Sequence, residues 1–348
     1  MDKPSKFGTH RVIAPIGVLP QAADRLDNTM ICRSNEILVD VTTLNVDSAS
    51  FTQIKAACHN DIEKMKEMIK GIVSDKGKLQ NPVTGSGGMF IGKVNEIGID
   101  LKTTVKQGDE IASLVSLSLT PLRIDEILAI HPDRDQVDII GQAILFETGI
   151  FAKIPKDLPA RLVLSALDVA GAPAQTAKLV KPGDSVLIIG GAGKSGLLCA
   201  YQARKSATGS GKIIALINDI SQKPDLERLG VCDHIILGDA RKPIEVYESV
   251  LAVNDNRKTD VTINVVNVPN TELSSILPTK DEGIVYFFGM ATSFTKAALG
   301  AEGIASEARM LIGNGYTKNH AELTLDLFRE SKELYDIFME RYGRQSRI

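Results

Sequence analysis

The sequence predicts a two-domain α/β protein, with a β-rich domain first and a doubly wound parallel sheet second. Three observations carry that reading. Short β-branched or alternating runs, broken by Gly, Pro and Asp, fill the first half. From about Lys156, apolar runs alternate with helical segments, as in a parallel sheet covered by helices. Between the first of those runs and the first of those helices lies Gly190-Gly191-Ala192-Gly193-Lys194-Ser195-Gly196. The expected domains are residues 1–155 and 156–330, with 331–348 returning to complete the first.

In the first domain the strand runs are "EILVDVTTLNV", "FIGKVNEIG", "DEIASLVSLS" and "AILFETGIFAKIP". A helical insertion over about 59–78 interrupts them. Ile62, Met65, Ile69, Ile72 and Val73 recur there at helical spacing, with Lys and Glu on the other face. The insertion is expected to pack on the β domain; a mobile lid is the other reading. In the second domain the strand runs are "SVLIIG", "KIIALIN", "HIILGDA", "VTINVV", "GIVYFFGM" and "ARMLIGNG". An amphipathic stretch, "NHAELTLDLFRESKELYDIFMERY", follows them.

The glycine-rich stretch has two readings. Gly193-Lys194-Ser195 is how a nucleoside-triphosphate loop ends, but that loop needs glycine at position 188, where Ile188 lies inside an apolar run. The same residues also spell G-x-G-x-x-G between a buried strand and a helix. In that frame Gly191 makes the tight turn, Gly193 admits a pyrophosphate and Gly196 lets the helix pack on the strand. Lys194 and Ser195 open the helix whose N-terminus faces the phosphates. A plain strand–turn–helix is the bland alternative.

Hydrophobic content is 43% and the net charge −3 over 348 residues, which gives no basic excess for nucleic acid or anionic lipid. No run reaches membrane-spanning length and the start lacks a signal-peptide core, so a cytoplasmic enzyme is expected. Cys32, Cys58, Cys199 and Cys232 are scattered and fit reduced thiols.

The domain order, "FAKIPKDLP", "KPGDSVLIIGGAGKSG" and "GGMFIGKVNEIG" resemble the medium-chain dehydrogenase/reductase superfamily. That resemblance implies a GroES-like first domain, a Rossmann second domain and assembly as a dimer or tetramer. It covers nearly the whole chain apart from the insertion. In zinc-dependent members the last segment reads G-H-E-x-x-G-x-V-x-x-V-G. Here Gly87, Gly92 and Gly98 match, but Gly88 replaces the zinc-ligand His and Met89 the Glu. Asp47 stands near the first ligand Cys, and the four-cysteine structural lobe is missing, so no metal is expected. "NPVTGSGGM", "LDVAGAPAQTAKLVKPG", "TINVVNVPNTE" and "GMATSFTKAALGAEG" are similar to members that oxidatively deaminate a 3,5-diamino acid. The implied products are a 3-oxo acid, ammonia and reduced nicotinamide cofactor.

Such chemistry needs a neutral reacting amine, a proton acceptor, a carboxylate for the other ammonium and a partner for the substrate carboxylate. From segments that line the superfamily's interdomain cleft come Asp47, Asp168 and Glu147, each of which could instead be a cap or surface carboxylate. Lys296 is the candidate for the substrate carboxylate, with a solvated lysine as its alternative. His59 and His131 are expected at the surface. For the cofactor ribose, Asp219 is near the right place, with Asn218 or Ile217 as the alternative alignments. NAD is favoured, with NADP possible. Asn267, Phe288, Gly289 and Met290 are placed by the fold to flank the nicotinamide. Two other functions compete: a zinc-free NADPH-dependent quinone or enoyl reductase, and a non-catalytic nucleotide-binding member.

Overall fold

The computed structural model describes residues 4–313 and 315–343, so Asn314 of "ARMLIGNG" and residues 344–348 of the expected 331–348 segment lie outside the described residues. The chain forms two compact units that divide between Asp168 and Val169.

The first unit opens with a two-stranded ribbon, β1 (Val12–Ala14) and β2 (Arg25–Leu26). Its main sheet comprises β3 (Glu36–Asn45), β4 (Met89–Ile97), β5 (Glu110–Ser113), β6 (Leu122–His131), β7 (Gln136–Phe146) and β8 (Phe151–Lys153). They pair antiparallel in the order β6-β7-β3-β4-β5-β8. The inserted segment is two helices rather than one, α1 (Ser48–Ala57) and α2 (Ile62–Lys76). Met65, Ile69 and Val73 of α2 join Phe51 and Ile54 of α1 in one core with Val39, Val41 and Leu44 of β3. Lys and Glu face outward, which is why the amphipathic pattern was legible. Helix α3 (Ala160–Leu167) belongs to this unit, which ends thirteen residues beyond the expected boundary. Its Arg161 and Ser165 are bonded to Asp138 and Gln136 of β7.

In the second unit six parallel strands follow the order β11-β10-β9-β12-β13-β14. They are β9 (Ser185–Ile189), β10 (Lys212–Ile217), β11 (His234–Leu237), β12 (Thr259–Asn264), β13 (Thr279–Phe287) and β14 (Arg309–Ile312). The helices are α4 (Gly171–Leu179), α5 (Lys194–Ala207), α6 (Lys223–Leu229), α7 (Pro243–Val253), α8 (Glu272–Ile276), α9 (Phe294–Gly303), α10 (His320–Glu330) and α11 (Lys332–Phe338). Helices cover the central strands on both faces, so those strands read as unbroken apolar runs. The final amphipathic stretch is split at Ser331, which caps α11. It belongs to the second unit and does not complete the first. Its Leu334, Ile337 and Phe338 are buried there, α11 packs against α6, and Glu340 pairs with Arg228 of that helix. Among the described residues no helix is long and apolar enough to cross a membrane.

Candidate active site

The glycine-rich turn joins β9 to α5. Its left-handed residue is Gly190, at φ 88°, directly before Gly191. The amides of Gly190 and Gly191 both donate to the Leu216 carbonyl of β10, at 3.0 and 3.1 Å, which ties the turn to the neighbouring strand. A Cβ on Gly191 would stand 2.7 Å from the Ala215 Cβ, and one on Gly196 only 2.1 Å from the Gly190 oxygen. Both glycines are therefore set by close backbone packing. Gly193 differs: its nearest neighbour would be 3.4 Å away, and it is exposed beside buried Ala192. It is also the N-cap of the 14-residue helix α5 and, as glycine, brings no capping side chain to the helix start. Open space in front of the positive end of a helix fits a phosphate. Ile188, where a triphosphate loop needs glycine, is a fully buried strand residue paired with Ala215 and Ile263.

The other cofactor candidates gather at the same C-terminal edge of the sheet. Beside β9 the strand order reverses, with β10 on one side and β12 on the other, which is where such sheets bind ligands. Asn218 and Asp219 follow β10, and both are exposed. Asp219 accepts the Ser221 amide at 2.9 Å, and that bond holds its carboxyl below the usual range. Exposed Asn267 follows β12. Phe288, Gly289 and Met290 follow β13, and the amide of Phe288 donates to the Asn264 carbonyl at 2.9 Å. A Cβ on Gly289 would meet the Val266 oxygen at 2.2 Å, so glycine is needed where these two loops touch.

Asp47, just after β3, caps α1 by accepting the Ser50 amide at 3.0 Å. Its second oxygen accepts from the Ser86 hydroxyl at 2.9 Å. Ser86, Ser50 and Thr84 form a closed triangle of hydroxyls with separations of 2.6 to 3.1 Å. Asp168 ends α3. Both aspartates belong to the first unit. Buried Gln136 connects their neighbourhoods: its amide donates to Asn45 at 3.4 Å and to Ser165 at 3.3 Å. Asn45 precedes Asp47 by two residues, and Ser165 lies one turn before Asp168. Glu147 is not part of this group. Glu36 and Phe146 pair at the far end of β3, so ten residues, roughly 30 Å at about 3.3 Å each, separate Glu147 from Asp47. There Glu147 accepts from Asn35 at 3.1 Å. Lys296 lies in the second unit, exposed on α9, with its amine donating to Asn270.

His131 is not a surface residue: its ring nitrogen meets Asp138 at 2.7 Å, and Arg161 reaches the same oxygen at 2.9 Å. Burial works to raise the Asp138 carboxyl, but bonds from His131 and Thr43 and the Arg161 charge hold it low. Neither this cluster nor Arg341, which donates to the Ala192 carbonyl of the glycine turn at 2.8 Å, was read from the sequence. Each joins residues distant in the chain and leaves no local pattern.

A GroES-like antiparallel unit followed by a Rossmann unit defines the medium-chain dehydrogenase/reductase fold. Solved structures agree: CurK enoyl reductase superposes with a TM-score of 0.56 at 17% identity, covering 93% of this chain and 87% of that one. An alcohol dehydrogenase from Thermotoga maritima gives 0.56 at 15% identity, covering 89% and 86%. Residues 10–155 match the family model described as the L-erythro-3,5-diaminohexanoate dehydrogenase N-terminal domain. L-erythro-3,5-diaminohexanoate dehydrogenase of Fusobacterium nucleatum is 58% identical over 98% of this chain and 100% of that protein. The enzyme of the same name from Acetoanaerobium sticklandii is 57% identical over 98% and 99%. The chain belongs to the L-erythro-3,5-diaminohexanoate dehydrogenase family.

Proposed function

We propose that this protein catalyses the NAD-dependent oxidative deamination of L-erythro-3,5-diaminohexanoate at C3. Substrate, water and NAD give 5-amino-3-oxohexanoate, ammonium, NADH and a proton. The observation that carries this reading is the end-to-end match to two dehydrogenases of that name, both above half identity. When bound, the nicotinamide cofactor supplies the hydride acceptor. The turn at Gly193 and the uncapped start of α5 are assigned to its pyrophosphate, with Lys194, Ser195 and Gly196 in that first turn. Asp219 or its neighbour Asn218 is assigned to the ribose, which favours NAD because a 2′-phosphate would face the Asp219 carboxylate. Asn267, Phe288, Gly289 and Met290 are assigned to the nicotinamide side.

The substrate carries two amines, so a carboxylate must offset the ammonium that does not react. Asp47 suits that task, because its two oxygens are fixed by Ser50 and Ser86 and keep lone pairs for a cation. Asp168 is assigned the proton leaving the reacting amine, whose lone pair then stabilises the developing iminium. Lys296 is assigned the substrate carboxylate. Glu147, at the opposite end of β3, drops out. No step uses a metal, since Gly88 and Met89 stand at the superfamily's ligand positions. We also read the protein as a homo-oligomer.

Absorbance at 340 nm on mixing protein, NAD and the diamine tests the activity. A rise in NADH is expected; no rise, together with turnover of an enone and NADPH, would replace this reading by an enoyl reductase. Asp47→Asn and Asp168→Asn are each expected to lose roughly 2–4 kcal/mol in kcat/KM, with cofactor affinity little changed. Near-normal kcat/KM in both variants would make these aspartates structural.

A further inference from the structure

A turn built on Gly190, Gly191 and Gly193 has wide conformational freedom, and beyond the Gly190 and Gly191 bonds to β10 a further tether helps to hold one shape. The structure holds that tether more than a hundred residues downstream. The π-helical turn Met339–Gly343 lies against the glycine turn on both sides of Gly193. Before Gly193, Arg341 Nη1 donates to the Ala192 carbonyl at 2.8 Å. After it, the Lys194 ammonium sits 5.6 Å from the centre of the Tyr342 ring. Gly193 itself stays exposed, so the contact frames the phosphate position without covering it.

The remaining nitrogens of Arg341 bind the Asp225 carboxylate, with Nε at 2.8 Å. Asp225 lies in the first turn of α6, the helix that follows Asn218 and Asp219. One guanidinium therefore bridges the pyrophosphate turn and the element next to the ribose position. Further contacts hold the segment in place: Arg228 of α6 binds Glu340 at 3.0 Å, and the Tyr342 ring packs 5.3 Å from that of Phe338. A planar fork can hold a carbonyl and a carboxylate at once, whereas a lysine ammonium is a single point charge.

We infer that Arg341 is a positioning residue of the cofactor site, and that Met339–Gly343 is a clasp fixing the two halves that receive the adenosine-diphosphate part of the dinucleotide. This rests on assigning Gly190–Gly196 to the pyrophosphate.

The test is ADP and NAD binding to the purified full chain by titration calorimetry, with steady-state kinetics and unfolding temperature alongside. Arg341→Ala is expected to weaken ADP and NAD about tenfold, the loss typical of one charge-assisted contact. The NAD KM should rise in step, with kcat at saturating NAD and the KM for the diamine unchanged. Arg341→Lys should recover only part of the affinity, and Asp225→Asn, which spares the Ala192 bond, should weaken ADP less than Arg341→Ala. Unchanged ADP affinity in Arg341→Ala overturns the inference, as does a parallel loss in the unfolding temperature, kcat and the diamine KM. If Arg341→Ala does not fold, the ordering of wild type, Arg341→Lys and Asp225→Asn decides, and equal affinities overturn it. Gly193→Val separates the two assumptions: if it too leaves ADP binding intact, the pyrophosphate assignment itself is wrong.

Discussion

Gly88 and Asn45 are so close that a Cβ on Gly88 would lie 2.0 Å from the Asn45 carbonyl oxygen and 2.8 Å from the Asp47 amide. Gly88 also holds φ at 102°, a region that only glycine enters without strain. The position that carries a zinc-binding His elsewhere in the superfamily has no room for one on this backbone. Gly88→His is thus expected to lose roughly 2–4 kcal/mol of stability and to displace Asp47, without gaining stoichiometric zinc. Urea unfolding and metal analysis of the purified variant check this. Dialysis of the wild type against a strong chelator should leave turnover unchanged, and a loss reversed by zinc would contradict the metal-free assignment.

The glycines of the turn should fail in different ways. Gly193→Val places atoms in open space, so the fold should survive while NAD affinity drops at least tenfold, about 1.4 kcal/mol. Gly196→Ala drives a methyl into the Gly190 carbonyl, so the unfolding temperature should fall as well. Comparing calorimetric Kd with unfolding temperature for the two variants separates these outcomes. Equal stability losses would show that Gly193 is also a packing glycine.

Arg11 and Glu36 form a buried two-point ion pair, at 2.7 and 2.6 Å, and His10 adds a third contact to the same carboxylate. Arg11 also donates to the carbonyls of Asp27, Thr29 and Ile31, fastening the irregular N-terminal segment to the sheet. Removing one partner strands a buried charge, so Arg11→Met should cost about 3–5 kcal/mol. Burial pushes the Glu36 carboxyl up, but the bonds from Arg11 and His10 and the Arg11 charge bring it to about 2. A depressed carboxylate stabilises the fold above its unfolded pKa, and that contribution is lost as pH falls toward 2. The stability gap between wild type and Glu36→Gln, measured by urea unfolding, should therefore narrow between about pH 4.5 and pH 2.

Lys78 is fully buried, and its amine donates to the carbonyls of Pro20 and Gln21 at 2.8 and 3.2 Å, with no ion pair to a carboxylate among the described residues. Burial, helped by Lys76, lowers its pKa to about 8. The pH slope has the same sign as for Glu36, because here too the folded-state pKa lies below the unfolded one. Above pH 8 the folded state releases this proton while the unfolded state keeps it up to about 10.5, so stability from this group rises with pH. Urea unfolding from pH 7.5 to 9.5 should show a rise in wild type relative to Lys78→Met. Parallel profiles would mean that the amine stays charged when buried.

What could be read from the chain follows from how each signal is distributed. Strands such as β9 and β10 are buried on both faces and appear as unbroken apolar runs, and α2 shows its stripe at helical spacing. Strand β6 is an edge strand, with Arg123, Glu126 and Leu128 exposed among buried residues, so its hairpin with β7 was not recognised. Helix α1, "SASFTQIKAA", buries few of its residues and carries a weak stripe. The turn glycines were legible because motif spacing is local. Arg11–Glu36, Lys78–Pro20 and Arg341–Ala192 are long-range pairs, separated by 25, 58 and 149 residues, and nothing near either partner announces the other. The same holds for Gln136, which joins the surroundings of Asp47 and Asp168.

The reach from Arg341 back to Ala192 bears on the order in which the protein is made. On the ribosome the sheet strands that frame the glycine turn emerge well before Met339–Gly343. A nascent chain can thus assemble its first unit and most of its parallel sheet while the turn still lacks its clasp. Long-range closures of this kind form late, because the intervening chain must first be ordered. A ribosome stalled before Arg341 would hold a chain whose turn still lacks its clasp and whose grip on dinucleotide is loose, so capture of the cofactor would wait until Met339–Gly343 has emerged.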